Sequence, residues 1–233
     1  MNLFNKRCFS YICVMNSLIE ENYIKALFHL SNNGLGEVNV KDLSKHLDIK
    51  MPTVNSMMKK LAEKELVIYE TYKPLRLSDK GILKASLIVR KHRLTEMFLV
   101  DKMGFGWEQV HQIAEQIEHI QSPLFFDKMD ELLNYPKFDP HGSPIPDKNG
   151  HLEQVNYKKL SDFETGDKVE ICAVINSSDE FLNFLNTKQL SLGSELEIID
   201  IENFDKSMKV HYLDKLEVFS SLISDKLLVK KIN

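Results

Sequence analysis

Cysteine is scarce in this chain, which argues against a disulfide-stabilised secreted fold. Cys8, Cys13 and Cys172 are its only cysteines, and they have neither a CxxC spacing nor an obvious pairing. Small secreted domains depend on dense disulfide bonds, whereas a few thiols without an evident pairing fit the reducing cytosol. We therefore expect a cytoplasmic protein.

An excess of positive charge is also missing. The 30 lysines and arginines are outnumbered by 34 aspartates and glutamates, which gives a net charge of −4. Any DNA-binding face must therefore be a local patch rather than the surface as a whole. The hydrophobic fraction of 43% and the charged fraction of 27% are ordinary for a globular protein, and 233 residues suffice for one to two domains.

Long apolar runs are absent as well, so we expect no membrane-spanning helix. A short apolar run follows Lys6 and Arg7, but it has no clear cleavage site for a signal peptidase. A capping box over residues 17–20 predicts that the first helix begins there. We interpret residues 1–16 as a disordered or spurious upstream extension, with Met15 as a plausible true start.

Residues 17–78 have the pattern of a winged helix-turn-helix domain. Apolar spacing predicts a helix over residues 18–30, a short helix after Asn39, and a third helix that starts near Pro52 and has a polar, lysine-bearing outer face. Two short apolar segments around Lys73 predict a β-hairpin wing. The polar helix suits base-edge and phosphate contacts, which favours DNA binding. A solvated helix in some other small α domain is the alternative.

Histidines and carboxylates share the faces of two predicted helices in residues 79–147. His92 and Glu96 lie four residues apart on a long helix. A second helix, predicted over residues 107–121, places four more candidates within one stripe about 100° wide: His111, Glu115, Glu118 and His119. Burying such groups is costly unless something pairs with them, and a divalent transition metal accepts mixed nitrogen and oxygen ligands. The pattern predicts a metal site, with a solvated polar face as the alternative.

The remaining segments predict a dimer face, a linker and a β module. A helix from Ser122 to Leu133 carries more apolar surface than one small domain needs, which indicates a dimer interface. Residues 135–150 hold four of the seven prolines and mark a domain boundary. The predicted fold class is mainly α with small β: a winged helix-turn-helix domain in residues 17–78, a helical metal-binding and dimerisation domain in residues 79–147, and a small β-barrel module in residues 148–233.

Taken together, these motifs resemble the diphtheria-toxin-repressor family of metal-dependent regulators, which includes the manganese transport regulators. The resemblance covers roughly residues 17–232. Its most specific motifs are RKHRLTE at residues 90–96, the His and Glu set of residues 111–119, and FDPHGSPIP at residues 138–146. The segment LGSELEI at residues 192–198 is similar to the SH3-like (FeoA-like) module of the longer members. The family implies a repressor that binds palindromic operator DNA as a homodimer.

The resemblance also implies where metal binds. A primary site falls on Glu115, Glu118 and His119, with a further ligand from Asn22, where relatives typically carry Asp or Met. Lys25 stands where the manganese-type members have a glutamate, which argues against their binuclear site in its familiar form. An ancillary site falls on three further residues: His92, Glu96 and His111. Glu180 matches a metal ligand of the SH3-like module.

The DNA contacts follow from the same resemblance, because Pro52-Thr53-Val54 matches the start of the family's recognition helix. The residues expected to face DNA are Lys50, Thr53, Asn55 and Ser56. The wing residues expected to contact phosphates are Lys73 and Arg76.

We predict a repressor of metal-uptake genes that is activated by Mn(II), with Fe(II) next. Glu115 supplies a hard oxygen ligand where a cysteine would favour softer metals. An iron-dependent repressor of the same family is the first alternative. A helical metalloenzyme is a weaker one, because HExxH and HxxEH are both absent and no nucleophile with a positioned base is evident. A small-molecule or redox-responsive winged-helix regulator, in which the acids and histidines are structural, is the third.

Overall fold

The computed structural model describes residues 18–175 and 178–232, and within them the chain forms two compact units. The first unit holds the described residues up to His92, Glu115–Pro123 and Pro146–Leu152. The second unit holds Arg93–Ala114, Leu124–Ile145 and the described residues from Glu153 onward. The predicted extension of residues 1–16 and the capping box that includes Ser17 lie outside the described residues.

The first unit contains the predicted winged helix-turn-helix. Its elements are α1 (residues 18–30), α2 (Val40–His46), α3 (Met51–Glu63), β1 (Val67–Ile68), β2 (Arg76–Leu77) and the first half of α4 (Asp79–Met103). Pro52 stands in the first turn of α3, where its missing N–H costs no helical hydrogen bond. β1 and β2 pair antiparallel with Val67 opposite Leu77, which confirms the wing.

Apolar residues at helical spacing form the core of this unit. On α3, Val54, Met58 and Leu61 are fully buried, and they meet Ile24 and Leu43 of the neighbouring helices in one hydrophobic cluster. Each such side chain stabilises the fold by about 1.5–3 kcal/mol. Because this face of α3 is committed to the core, its opposite face is the one that stays available to a ligand.

The second unit combines helices with a six-stranded antiparallel sheet. Its helical part comprises the rest of α4, the start of α5 (His111–Ile117) and α6 (Pro123–Leu132). The other elements are β3 (Lys158–Lys159), a 3-10 turn (Leu160–Asp162), β4 (Lys168–Val174), α7 (Asp179–Lys188), β5 (Glu195–Ile201), β6 (Met208–Tyr212), β7 (Lys215–Phe219), α8 (Ser221–Ser224) and β8 (Leu227–Lys231). The strand order is β3-β8-β4-β5-β6-β7. Alternate residues such as Val169, Ile171 and Val229 bury one face of the sheet, as the strand period requires.

α5 is shorter than the helix predicted over residues 107–121. It spans only His111–Ile117, so Glu118 and His119 lie in the turn beyond its end. The predicted helix was therefore too long, and these two residues lie in a turn and not on the helix. Pro123 opposes a longer helix because it lacks a backbone donor, and polar contacts hold the Glu118 and His119 side chains in the turn.

α4 is the longest helix at 25 residues, and charged side chains recur along it. It supplies His92 to the first unit and both Arg93 and Glu96 to the second. Neither α4 nor any other helix in the described part of the chain is apolar over a length that could cross a membrane.

Candidate metal centres and nucleic-acid interface

A buried lysine lies at the centre of the primary-site residues in the first unit. The Lys25 ammonium of α1 donates hydrogen bonds to Glu115 Oε1 and to Glu118 Oε2, each at 2.6 Å. His92 Nδ1 of α4 lies 3.2 Å from the same ammonium and 2.6 Å from Glu118 Oε2. We call these four residues the Lys25 cluster. The ligand atoms of His92, Glu115 and Glu118 are close enough to hold one metal ion, but here they surround an ammonium.

The other side of Glu118 has the character of a metal site. Its Oε1 atom is fully buried, accepts no hydrogen bond, and lies 3.8 Å from His119 Nε2. The opposite ring atom, His119 Nδ1, hydrogen-bonds Glu21 Oε2 at 2.8 Å. A carboxylate on one imidazole nitrogen fixes the ring and leaves the other nitrogen as a ligand. Glu118 and His119 can therefore offer a divalent cation one oxygen and one nitrogen, whereas Lys25 occupies the space between His92, Glu115 and Glu118.

Glu21 also holds Gln121, so one carboxylate organises the turn after α5. Burial acts to raise the pKa of Glu21, but its hydrogen bond to His119 and the nearby positive charges lower that pKa below its ordinary value. Gln121 Nε2 donates to Glu21 Oε1 at 3.2 Å. Glu21 is thus charged at neutral pH and holds His119 from behind.

The helix-1 contribution to this site differs in part from the prediction. Among the described residues of α1, Glu21 and Lys25 make the polar contacts above, while Asn22 is exposed. Coordination by Asn22 stays a prediction. Glu21 was missed because the resemblance directs attention to Asn22, although Glu21 lies four residues before Lys25 and so shares a helix face with it.

A second cluster forms within the second unit around Glu96. The ligand atoms of Glu96, Asp139 and His141 lie within 4.8 Å of one another, and all three residues are buried. His141 Nε2 donates to the Trp107 carbonyl at 2.9 Å, which leaves Nδ1 facing Glu96 Oε2 at 3.7 Å. His111 Nδ1 lies 3.3 Å from Glu96 Oε1 at the exposed rim. We call Glu96, Asp139 and His141 the Glu96 cluster.

The electrostatics of the Glu96 cluster favour a cation. Burial, followed by the nearby charge of Glu96, raises the pKa of Asp139. Burial acts to lower the pKa of His141, but its interactions with Glu96 and Asp139 raise that pKa above its ordinary value. Arg93 is the cation that faces these carboxylates, with Nε 3.5 Å from Asp139 Oδ2. The donor set of two carboxylates and one imidazole fits a divalent metal ion.

The loop that carries Asp139 and His141 is held rigidly. Asp139 Oδ1 accepts the backbone N–H groups of His141 and Ser143 at 2.8 and 2.9 Å. Gly142 has a φ of +85°, and a Cβ there would meet the Cys172 carbonyl oxygen at 2.1 Å. Asp139 and His141 belong to the FDPHGSPIP motif that supported the resemblance. The sequence analysis identified the motif but did not identify these two residues as candidate metal ligands.

Glu180 lies at the start of α7, where it is exposed. Hydrogen bonds from its own backbone N–H and from Ser178 lower the pKa of its carboxyl group. The neighbouring residue Ser177 lies outside the described part of the chain. A role of Glu180 as a metal ligand stays a prediction.

The predicted DNA-facing residues share the outer side of α3 and the wing. Lys50, Thr53 and Ser56 are exposed, and Asn55 is half-buried. On the wing, Lys73 is paired with Glu70, and Arg76 Nε lies 3.7 Å from Glu37. Both cations are exposed, so phosphates can replace these weak surface partners.

α6 exposes the apolar surface expected of a dimer face. Leu124, Phe125 and Leu132 are 69%, 43% and 59% exposed, whereas Phe126 and Met129 of the same helix are buried. These three exposed apolar side chains on one helix form a candidate dimer contact.

Two family models match consecutive parts of the chain. Residues 17–75 match the model described as "Iron dependent repressor, N-terminal DNA binding domain". Residues 78–147 match the one described as "Iron dependent repressor, metal binding and dimerisation domain". The chain belongs to this repressor family. The first match contains α1 to α3 with the wing, and the second contains α4 to α6 with most residues of both clusters.

Individual relatives agree with this assignment. The chain is 33% identical to the "Iron-dependent repressor IdeR" of Mycobacterium tuberculosis over 134 residues, which are 57% of this chain and 58% of that relative's length. The structure titled "Crystal Structure of ScaR with bound Zn2+" is 30% identical, with a TM-score of 0.76 over 91% of this chain and 99% of that one. A "Manganese-dependent transcriptional repressor complex with manganese" is 26% identical, with a TM-score of 0.83 over 91% of this chain and 100% of that one.

Membership of the repressor family confirms the predicted resemblance and the predicted fold class. The chain has a winged helix-turn-helix DNA-binding domain, a helical metal-binding and dimerisation domain, and an SH3-like module at its C-terminal end. The family is one of transcriptional repressors and not of enzymes, so the metalloenzyme alternative is not supported.

Proposed function

We propose that the protein is a cytoplasmic, homodimeric repressor that binds operator DNA when Mn(II) or Fe(II) is bound, and that it controls metal-uptake genes. One observation carries this proposal. Glu21 of α1, in the part that matches the DNA-binding domain, holds His119 in the part that matches the metal-binding domain. The candidate ligands Glu118 and His119 therefore lie where α1 meets the turn after α5.

The residues of the first unit suit a role in activation. A bound metal ion would supply two positive charges against the buried carboxylate of Glu118, which holds an oxygen without a hydrogen bond. Glu21 keeps His119 Nε2 turned toward that oxygen. A metal stabilises the DNA-competent state only to the extent that it binds this state more tightly than any other. A metal ion bound at Glu118 and His119 would stabilise the contacts that Glu21 of α1 makes with His119 and Gln121 in the turn after α5.

The metal preference follows from the donor atoms. Carboxylate oxygens dominate the Glu96 cluster, and Glu118 offers a further carboxylate oxygen beside His119. Hard, oxygen-rich sites suit Mn(II), with Fe(II) next. Raw affinity still follows the Irving–Williams order, so Zn(II) can bind tightly without activating. The relatives include a manganese-dependent repressor in complex with manganese and an iron-dependent repressor, which supports both metals as candidates.

The DNA-binding surface accounts for the proposed target. The exposed residues Thr53 and Ser56 on α3 suit the major groove, and Lys73 and Arg76 suit phosphates. A dimer reads two half-sites about 34–36 Å apart, or multiples of that spacing, which explains why a palindromic operator is expected. The exposed apolar residues of α6 supply the proposed dimer contact.

Variants of α3 and the wing test this surface. Replacing Thr53 and Ser56 together by alanine should weaken binding to the selected sequence by about tenfold or more, because base contacts are lost. Replacing Arg76 by alanine should weaken binding equally on all sequences and reduce the salt slope by about one. The measurement is fluorescence anisotropy with duplexes selected from a random pool in the presence of Mn(II).

The Lys209→Ala variant is the matched control for Arg76→Ala, because Lys209 is an exposed cation on β6. It should bind DNA as the wild type does. Undiminished DNA affinity in the double variant and in Arg76→Ala would exclude α3 and the wing as the interface. Selection that yields no preferred sequence with Mn(II) would contradict the repressor proposal itself.

A further inference from the structure

The Lys25 cluster contains a cation that the chain itself provides. Lys25 is 8% exposed and Glu118 is fully buried, so their contact is shielded from water. The ammonium donates to Glu115 and Glu118 at 2.6 Å each, and His92 Nδ1 lies 3.2 Å from it. The same three partners have the ligand atoms and the proximity of a metal site.

We propose that the Lys25 ammonium takes the place of a divalent cation in this cluster, so that the first unit binds one metal ion per chain, at Glu118 and His119, and not two. This inference rests on the proposed metal-dependent function. Ammonium and metal cannot both occupy the space between His92, Glu115 and Glu118, because a metal ion would have to approach those ligands to about 2.0–2.2 Å.

The partners of Glu118 separate the two positions. Its Oε2 atom contacts Lys25 and His92, while its Oε1 atom is buried without a hydrogen bond and faces His119 Nε2. One carboxylate thus has one oxygen satisfied by the lysine and one oxygen still in need of a partner. An unsatisfied buried acceptor is unfavourable, and a metal ion at His119 would satisfy it.

The consequence is a site that is half assembled before metal arrives. Lys25 joins α1 to α4 and α5 through Glu115, Glu118 and His92 in the absence of any ion. A single metal ion then completes the contacts through His119. Activation by Mn(II) should therefore show no cooperativity within the first unit, because only one ion binds there.

Metal stoichiometry of Lys25 variants tests the proposal. Equilibrium dialysis against Mn(II), followed by elemental analysis, should show one additional Mn(II) per chain in Lys25→Glu compared with the wild type. Glutamate removes the ammonium and adds an oxygen ligand at the same position. The exposed-site variant Lys209→Glu changes the net charge equally and should bind the same number of ions as the wild type.

The unfolding temperature of Lys25→Gln, measured in the presence of chelator, gives a second test that does not require Lys25→Glu to fold. Lys25→Gln should unfold at a lower temperature than the wild type in chelator, and Mn(II) should recover more of its stability than it does for the wild type. A folded Lys25→Glu with the wild-type Mn(II) count, or a Lys25→Gln with wild-type stability in chelator, would overturn the proposal. Neither measurement involves DNA. Failure of metal-activated DNA binding in the wild type would instead count against the proposed function.

Discussion

Replacing Glu118 by glutamine is expected to abolish Mn(II)-activated DNA binding while the protein stays folded. Glutamine has nearly the same shape, so its oxygen can still accept from Lys25, but the charge that attracts a divalent cation is gone. Mn(II) affinity of the first unit should fall by about two orders of magnitude or more, because Glu118 is the carboxylate shared by Lys25 and His119. Isothermal titration with Mn(II) and anisotropy with labelled DNA measure the two effects.

The Glu195→Gln variant is the matched control. Glu195 is exposed at the start of β5 and lies outside both clusters, the DNA-facing surface and α6, so the same chemical change there should leave both measurements unaltered. Circular dichroism should show equal helix content in both variants. If Glu118→Gln still binds DNA in a Mn(II)-dependent way, activation does not pass through Glu118.

Replacing Arg93 by methionine is expected to destabilise the second unit by about 3–5 kcal/mol in the presence of chelator. Arg93, whose side chain is 13% exposed, is the cation opposite Asp139, and it also donates to the Pro144 carbonyl. Its removal leaves the carboxylates of Glu96 and Asp139 buried together without that charge. Urea unfolding followed by fluorescence of Trp107, the only tryptophan, reports on this unit.

Two further measurements show whether the Arg93 effect is electrostatic. Mn(II) should recover more stability in Arg93→Met than in the wild type, because the Glu96 cluster then takes its positive charge from the metal. Adding Asp139→Asn should reduce the loss, since one of the two buried carboxylates loses its negative charge. The exposed control Lys102→Met, at the end of α4, should change stability by about 0.5 kcal/mol or less. An equal loss in both single variants would contradict the account.

The elements of the fold were largely predictable, because they depend on local patterns. Apolar spacing predicted α3 and its buried face at Val54, Met58 and Leu61, and the two segments around Lys73 predicted the wing. The end of α5 was not predictable in the same way. Helical spacing puts Glu118 and His119 in register with Glu115, whether or not the backbone continues as a helix.

The candidate sites were predictable only where residue types that commonly bind metals recur at helical spacing. Histidines and glutamates at helical spacing pointed to His92, Glu115, Glu118 and His119. Contacts between distant segments escaped the sequence: Lys25 to Glu118 spans 93 positions, and Glu21 to His119 spans 98. In the sequence, Lys25 is only a departure from the family pattern. The structure shows that its ammonium lies between the carboxylates of Glu115 and Glu118.

Asp139 and His141 illustrate the same difficulty in the second unit. They lie in a proline-rich segment that was interpreted as a linker, and nothing local distinguishes a ligand from a turn residue there. Their position beside Glu96 depends on Arg93, on the Trp107 carbonyl and on the tight turn at Gly142. Long-range packing, not local propensity, turns this linker into part of a candidate metal centre.

The most direct test of the central claim is a titration of DNA affinity with Mn(II), Fe(II) and Zn(II), under anaerobic conditions and at one fixed salt concentration. We expect tight, sequence-selective binding with Mn(II), activation no greater with Fe(II), and poor activation with Zn(II) even though Zn(II) binds. Full activation by Zn(II) or Fe(II) with none by Mn(II) would overturn the manganese assignment. DNA affinity that is the same with every metal and with chelator would contradict metal-activated repression itself.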